Sequence, residues 1–141
     1  YQHTEFGYNY RMTDISAAIG REQLKKLPNF NARRREIAER YNSELSDLVI
    51  TPKNRRGHVF HQYTIRSDKR DELREFLLER KIITGIYYPS LLYTYPSMKE
   101  YQSSCPNAEI LVKEVLSLPV HPALSDSDVF EVISSIKAFF G

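Results

Sequence analysis

Two short stretches carry side chains suited to holding a charged small molecule. The first is Gly7-Tyr8-Asn9-Tyr10-Arg11-Met12. The Asn9 amide can donate two N–H groups to an anion, and the Arg11 guanidinium can grip a phosphate through two parallel bonds. Thr13 follows as a helix cap, and a helix start adds positive potential at that point. Tyr8 and Tyr10 supply flat rings with polar tips. The same residues also suit a plain turn at Asn9 and a surface salt bridge at Arg11. The second stretch is the loop Gly85-Ile86-Tyr87-Tyr88-Pro89-Ser90-Leu91-Leu92-Tyr93-Thr94-Tyr95-Pro96. Its tyrosines suit either a ligand pocket or a core with wet edges.

Other chemistries find little support. No glycine-rich phosphate loop, dinucleotide fingerprint or HExxH pair is present. His3, His58, His61 and His121 lack ligand spacing with cysteine or carboxylates. Strand alternation puts His58 and His61 on opposite faces, so no metal site is expected from them. His61 is expected to be a hydrogen-bonded, partly buried side chain. Cys105, the single cysteine, excludes an internal disulfide framework and reads as a bystander. No order of Ser, His and Asp points to a nucleophilic triad. With 20 basic and 18 acidic side chains the formal charge is +2, which makes no case for nucleic acid or a membrane surface as partner. No run of 18 apolar residues and no basic-then-apolar leader occurs, so a cytoplasmic protein is expected.

The elements that must position these residues follow from periodicity. Residues 1–12 read as an irregular lead-in. Thr13 caps a helix from Asp14 to about Leu27, with Ile15, Ala18, Ile19, Gln23 and Leu27 recurring at helical spacing. Ala17, Ala18 and Gly20 would let another backbone approach closely. Pro28 is expected to break that helix. A second helix covers 29–46, its inner face carrying Phe30, Ile37, Tyr41 and Leu45, with Leu48 just beyond. Arg33, Arg34 and Arg35 read as a solvated, salt-bridged surface beside Glu36 and Glu39.

After a turn at 51–57, alternation predicts a strand over 58–66 and a helix to Arg80. Short strands are expected at 82–86 and ending at Pro119, with one helical turn near 97–102 and a helix over 107–115. Ser125 with Asp128 forms a capping box that starts the last helix. The fold class is therefore α/β: a sheet of about three strands with helices on one face, preceded by two helices. The division falls between a lead-in with two helices, 1–50, and a small α/β unit, 51–141.

The stretch GYNYRMTDISAAIGREQLKKLPNFNARRREIAERYNSEL resembles the nucleotide-sugar aminotransferases, a branch of the fold-type I pyridoxal-phosphate (PLP) enzymes. The pattern is carried by Gly7, Asn9, Tyr10, Arg11, Met12, Thr13, Ala17, Ala18, Gly20, Gln23, Leu24, Arg34, Arg35, Ala38 and Tyr41. It continues through HQYTIR, LLERKIITGIYYP and LSLPVHP, so the resemblance covers essentially the whole chain. It implies a C-terminal small domain whose large PLP-binding domain lies upstream. That large domain would supply the Schiff-base lysine, so no catalytic residue is expected here, and the isolated chain is expected neither to hold PLP nor to transaminate. The absence of an initiator methionine fits such a segment.

The resemblance further implies a homodimer with shared active sites. Asn9 would reach the cofactor phosphate of the neighbouring subunit, and Tyr8, Tyr10 and Arg11 would lie where a nucleotide sugar enters. The small residues of the first helix would pack at a domain or dimer interface. Many members carry histidines where this chain has Tyr87 and Tyr93, so substrate contacts at those two positions are expected to differ from the common case. The implied activity is transfer of an amino group, expected from glutamate, to a keto-sugar nucleotide. Two alternatives remain open: a PLP-dependent sugar dehydratase of the same fold, and a non-catalytic regulatory or interaction module.

Overall fold

The computed structural model describes residues 2 and 4–141; Tyr1 and His3, which fall in the lead-in, lie outside the described residues. The first element is a single helix, α1, Asp14–Leu45, of 32 residues and so about 48 Å long. Thr13 caps it, its hydroxyl accepting the Ser16 N–H at 3.3 Å. The expected break at Pro28 does not occur: the proline sits inside the helix. Residues 21–30 are all exposed, so the backbone bond that Pro28 cannot donate to the Leu24 carbonyl is lost on a solvent-facing stretch, where it costs less than it would in a core.

The two halves of α1 have different surroundings. Ile37, Ala38, Tyr41 and Leu45 are fully buried. No residue from Asp14 to Phe30 is buried, and Ile15 remains 76% exposed. The apolar face of the first half is thus real as a pattern, but nothing among the described residues covers it.

Strand β1, Tyr63–Arg66, pairs antiparallel with β2, Val115–Leu118, with Tyr63 opposite Leu118 and Arg66 opposite Val115. Among the described residues the sheet has two strands rather than three. The stretch 82–86 contributes one bridge, in which Gly85 and Ser117 exchange backbone bonds of 3.0 and 2.7 Å. The chain then turns into Tyr87-Tyr88-Pro89, and Pro89 has no N–H with which to extend a ladder. On the other edge Ile50 makes a matching single bridge to Arg66.

Strand β1 is also shorter than the alternation predicts. Phe60 adopts φ 48°, and its N–H is taken by His58 Nδ1 at 3.0 Å, so residues 58–62 form a turn. That turn changes the phase of the pattern. Phe60, expected opposite Tyr63 and Ile65, is buried with them, whereas His61 is exposed rather than partly buried.

The remaining elements flank the sheet. They are α2 (Arg70–Glu79), two short 3₁₀ turns (Leu92–Thr94 and Pro96–Tyr101), α3 (Pro106–Glu114) and α4 (Asp126–Phe140). Helix α4 starts at the full capping box of Ser125 and Asp128. One core joins the second half of α1 to the sheet and to α2 and α4, through Tyr41, Tyr63, Leu73, Leu77, Leu116, Val129 and Ile136. Tyr41 and Tyr63 pack ring on ring at 5.0 Å, and each spends its hydroxyl inside the fold, on the Pro119 carbonyl at 2.9 Å and on Asn42 Oδ1 at 2.6 Å. Burial pushes both phenols well above their ordinary pKa.

Candidate functional site

The segment before α1 forms no strand; two successive three-residue turns bring residues two apart together. Tyr8 and Tyr10 stack at 5.4 Å with 24° between ring planes. Arg11 Nε donates to Asn9 Oδ1 at 2.8 Å. Two short backbone bonds tighten the turn, from Tyr10 N–H to the Tyr8 carbonyl and from Arg11 N–H to the Asn9 carbonyl. All four side chains are exposed. The outcome is a small polar platform directly ahead of the Thr13 cap. With Oδ1 occupied, the Asn9 amide presents its NH₂ group, and Arg11 keeps its terminal nitrogens.

Tyr87 lies elsewhere. Its ring covers the backbone of Gly85 so closely that a Cβ there would stand 2.5 Å from a ring carbon. This is why a glycine precedes the loop: any side chain would push the ring away. Tyr87 walls a cleft of about 360 Å³ together with Arg34, His61, Ser117 and His121. Tyr93 is engaged differently. Its hydroxyl donates to Glu109 Oε1 at 2.8 Å, and the same oxygen accepts the Cys105 N–H at 3.2 Å. Partial burial first, and the Glu109 carboxylate second, raise the Tyr93 pKa. Tyr93 therefore ties the loop to the start of α3.

The structure thus brings Tyr8, Asn9, Tyr10 and Arg11 together. Among the described residues no hydrogen bond or ring contact joins that platform to Tyr87 or to Tyr93. No cluster of three potential metal ligands occurs among the described residues, and no helix is long and apolar enough to cross a membrane.

Residue patterns alone did not single out Arg34 as a cleft residue, although a signal was available. Arg33 has Glu36 three residues on, and Arg35 has Glu39 four residues on. Arg34 has Phe30, Asn31, Ile37 and Ala38 at those helical spacings and so no carboxylate.

With this geometry in place, comparison with known proteins is decisive about ancestry. Residues 1–137 match the profile of the DegT/DnrJ/EryC1/StrS aminotransferase family. The chain belongs to this family. A pleiotropic regulatory protein of Geobacillus stearothermophilus is 41% identical over 149 residues, covering 99% of this chain and 40% of that protein. A GDP-perosamine synthase of Escherichia coli O157:H7 is 38% identical over 147 residues, covering 99% and 40%.

Among solved structures, a DegT/DnrJ/EryC1/StrS aminotransferase from Brucella abortus superposes with a TM-score of 0.89 at 36% identity, covering all of this chain and 39% of that one. The NtdA protein of Bacillus subtilis, solved with PMP as bound cofactor, gives 0.86 at 25% identity, covering 99% and 35%. The chain therefore spans about two fifths of the length of the curated family members it matches. Its fold is that of a small domain of these longer proteins.

Proposed function

We propose that this chain is the C-terminal part of a PLP-dependent aminotransferase that moves an amino group, from glutamate, onto a keto-sugar nucleotide. The observation that carries the reading is the Asn9–Arg11 platform: two outward donors fixed by a mutual bond, ahead of a capped helix, in a chain of this family. The GDP-perosamine synthase supports a nucleotide sugar as substrate, and the PMP-bound structure supports the cofactor.

The residues present fit one end of that cofactor. The Asn9 NH₂ group and the Arg11 guanidinium suit its phosphate. Lys25, Lys26 and Lys81 are all exposed, on or at the end of helices, and none lines a pocket with the platform. When bound, PLP supplies the electron sink for transferring nitrogen. This chain's own part is to orient the phosphate through Asn9 and to guide an anionic substrate past Tyr8, Tyr10 and Arg11. Tyr87 would contact the sugar nucleotide at the cleft. Tyr93 would act by holding the loop through Glu109.

The uncovered half of α1 supports an assembled protein. A Cβ added to Gly20 meets nothing within 4 Å among the described residues, and Ile15 and Ile19 are 76% and 59% exposed. In this reading the face packs on the large domain or on a second subunit of a homodimer. Residues 1–50 would then form the interface segment and 51–141 the small domain.

The test is a spectrum. The protein carrying this chain with its upstream domain should take up PLP and convert it to the amino form when glutamate is added; a protein that binds no PLP would refute the reading. The relative named as a pleiotropic regulatory protein favours one second reading, a regulator on the same fold. It is separated by the same spectrum.

A further inference from the structure

Five arginines of the described residues are buried or half-buried: Arg33, Arg34, Arg40, Arg66 and Arg70. Four of them pair with carboxylates. Arg33 meets Glu36 and Asp126, Arg40 meets Asp126, Arg66 meets Glu114 and Arg70 meets Asp71. Arg34 is the exception. Among the described residues its Nη1 makes only two long bonds, to the carbonyls of His61 at 3.4 Å and Val120 at 3.3 Å. A guanidinium held only by carbonyl dipoles keeps its full positive charge for another partner, and its Nε and Nη2 donors remain open.

The surroundings bring no opposing charge. The cleft of about 360 Å³ beside Arg34 is lined also by His61, Gln62, Tyr87 and His121, and no Asp or Glu lines it. The His121 ring is fixed in one tautomer. Its Nδ1 accepts the Ala123 N–H at 3.1 Å, so its proton sits on Nε2 and that nitrogen is a donor. The Tyr87 hydroxyl makes no hydrogen bond among the described residues, and the close seat of its ring on Gly85 holds it at the wall of the cleft. Arginine, imidazole, phenol and amide donors thus meet in one place without a counter-charge.

We propose that this cleft is an oxyanion-binding site, centred on Arg34, that takes a phosphate or a carboxylate group of a small ligand. The site stands apart from the Asn9–Arg11 platform; it lies in the cleft where Tyr87 was assigned to the sugar nucleotide and deepens that reading, but anion binding to the chain itself is measured without PLP or transamination, so the two can fail separately. Phosphate would be the tail of a nucleotide-type ligand, and carboxylate that of an amino or keto acid. Arg34 anchors the charge, while His121 Nε2 and Tyr87 supply directional bonds.

The test is a ¹⁵N–¹H NMR titration of the 141-residue chain at constant ionic strength, with inorganic phosphate in one series and glutamate in another, and chloride as control. Saturable shifts confined to the amides around His61, Gly85 and His121 are expected in one series or both, and the series that saturates names the ligand class. Arg34→Gln should weaken binding by about tenfold or more, whereas Arg34→Lys, which keeps the charge, should weaken it less. If Arg34→Gln loses its dispersed spectrum, His121→Asn replaces it: the Asn oxygen can still accept the Ala123 N–H, but the Nε2 donor is gone, and a severalfold weakening is expected. Shifts that rise linearly with both anions as with chloride, or binding unchanged in a folded Arg34→Gln or His121→Asn chain, would overturn the proposal.

Discussion

Arg11 Nε donates to Asn9 Oδ1 at 2.8 Å, and that one bond decides how the asparagine can serve. It turns the amide so that the carbonyl faces arginine and the NH₂ group faces outward. A side chain that could accept or donate becomes a donor, and the arginine that fixes it adds charge beside it. Both residues sit within five positions of the α1 start, where Thr13 takes up the Ser16 N–H.

Replacing Asn9 by Ala removes the donor without touching the core, since Asn9 is exposed. In the protein with its upstream domain, PLP dissociation should rise about tenfold to a hundredfold, the range for one bond to a charged phosphate. Equilibrium dialysis of the cofactor measures it. Dissociation unchanged in Asn9→Ala would remove the asparagine from the phosphate site.

Tyr93→Phe should act on the loop and not on ligand binding directly. It breaks the bond to Glu109, which then keeps only the Cys105 N–H. Faster amide hydrogen exchange over 91–105 is expected, with a stability loss of about 1 kcal/mol or less. An unchanged exchange pattern would show that Glu109 does not hold the loop.

Gly85→Ala should displace the Tyr87 ring, because the new methyl would stand 2.5 Å from it. The ring is half-exposed and can swing outward, so the fold should survive. The cleft beside Arg34 should change shape, which shifted resonances of the Tyr87 ring would report. A ring whose signals stay in place would contradict the close packing described for this pair.

Acid should weaken the fold through three carboxylates held below their ordinary range. The Arg33 bond comes first for Asp126, the Ser125 hydroxyl for Asp128 and the Lys137 bond for Glu44. A depressed folded pKa contributes stability that is complete above the unfolded value, about 4, and is lost as pH falls through the folded one. The urea midpoint should therefore drop below about pH 4, and Asp126→Asn should flatten that drop.

Alkali works with the opposite sign. Tyr41 and Tyr63 have raised pKa values through burial, so their contribution is complete below about pH 10 and fades as pH climbs toward the folded values. Tyr41→Phe should lower the unfolding free energy at neutral pH by about 1 kcal/mol for the lost bond to Pro119, and lose less on going alkaline.

Helices and caps were legible in the chain because their signals are local. The Thr13 cap, the Ser125–Asp128 box and the buried series Ile37, Tyr41, Leu45 follow from neighbouring residues alone. What misled was context. A proline disrupts a helix by its missing N–H and its ring, but Pro28 stands in a stretch exposed throughout 21–30, where the lost bond is least costly. Alternation over 58–66 carried no sign that Phe60 would take φ 48° and turn its ring into the core. The 82–86 segment has strand composition, yet only Gly85 reaches β2.

Of the expected site residues, Tyr8, Asn9, Tyr10 and Arg11 share one local segment, so their grouping needed no long-range knowledge. The Arg34 cleft joins residues from α1, the 58–62 turn, the Gly85 loop and the stretch after β2. Only the folded chain could bring those together.

The central claim is that nitrogen passes from an amino acid to a sugar on the protein that contains this chain. The direct measurement supplies that protein with PLP, ¹⁵N-glutamate and keto-sugar nucleotides, and follows the label by mass spectrometry. A nucleotide sugar carrying ¹⁵N, with Asn9→Ala slowing its formation at limiting PLP, is the predicted result. Loss of water from the sugar without ¹⁵N would instead make the protein a dehydratase. No change in any sugar, with PLP unbound, would contradict the account at its root.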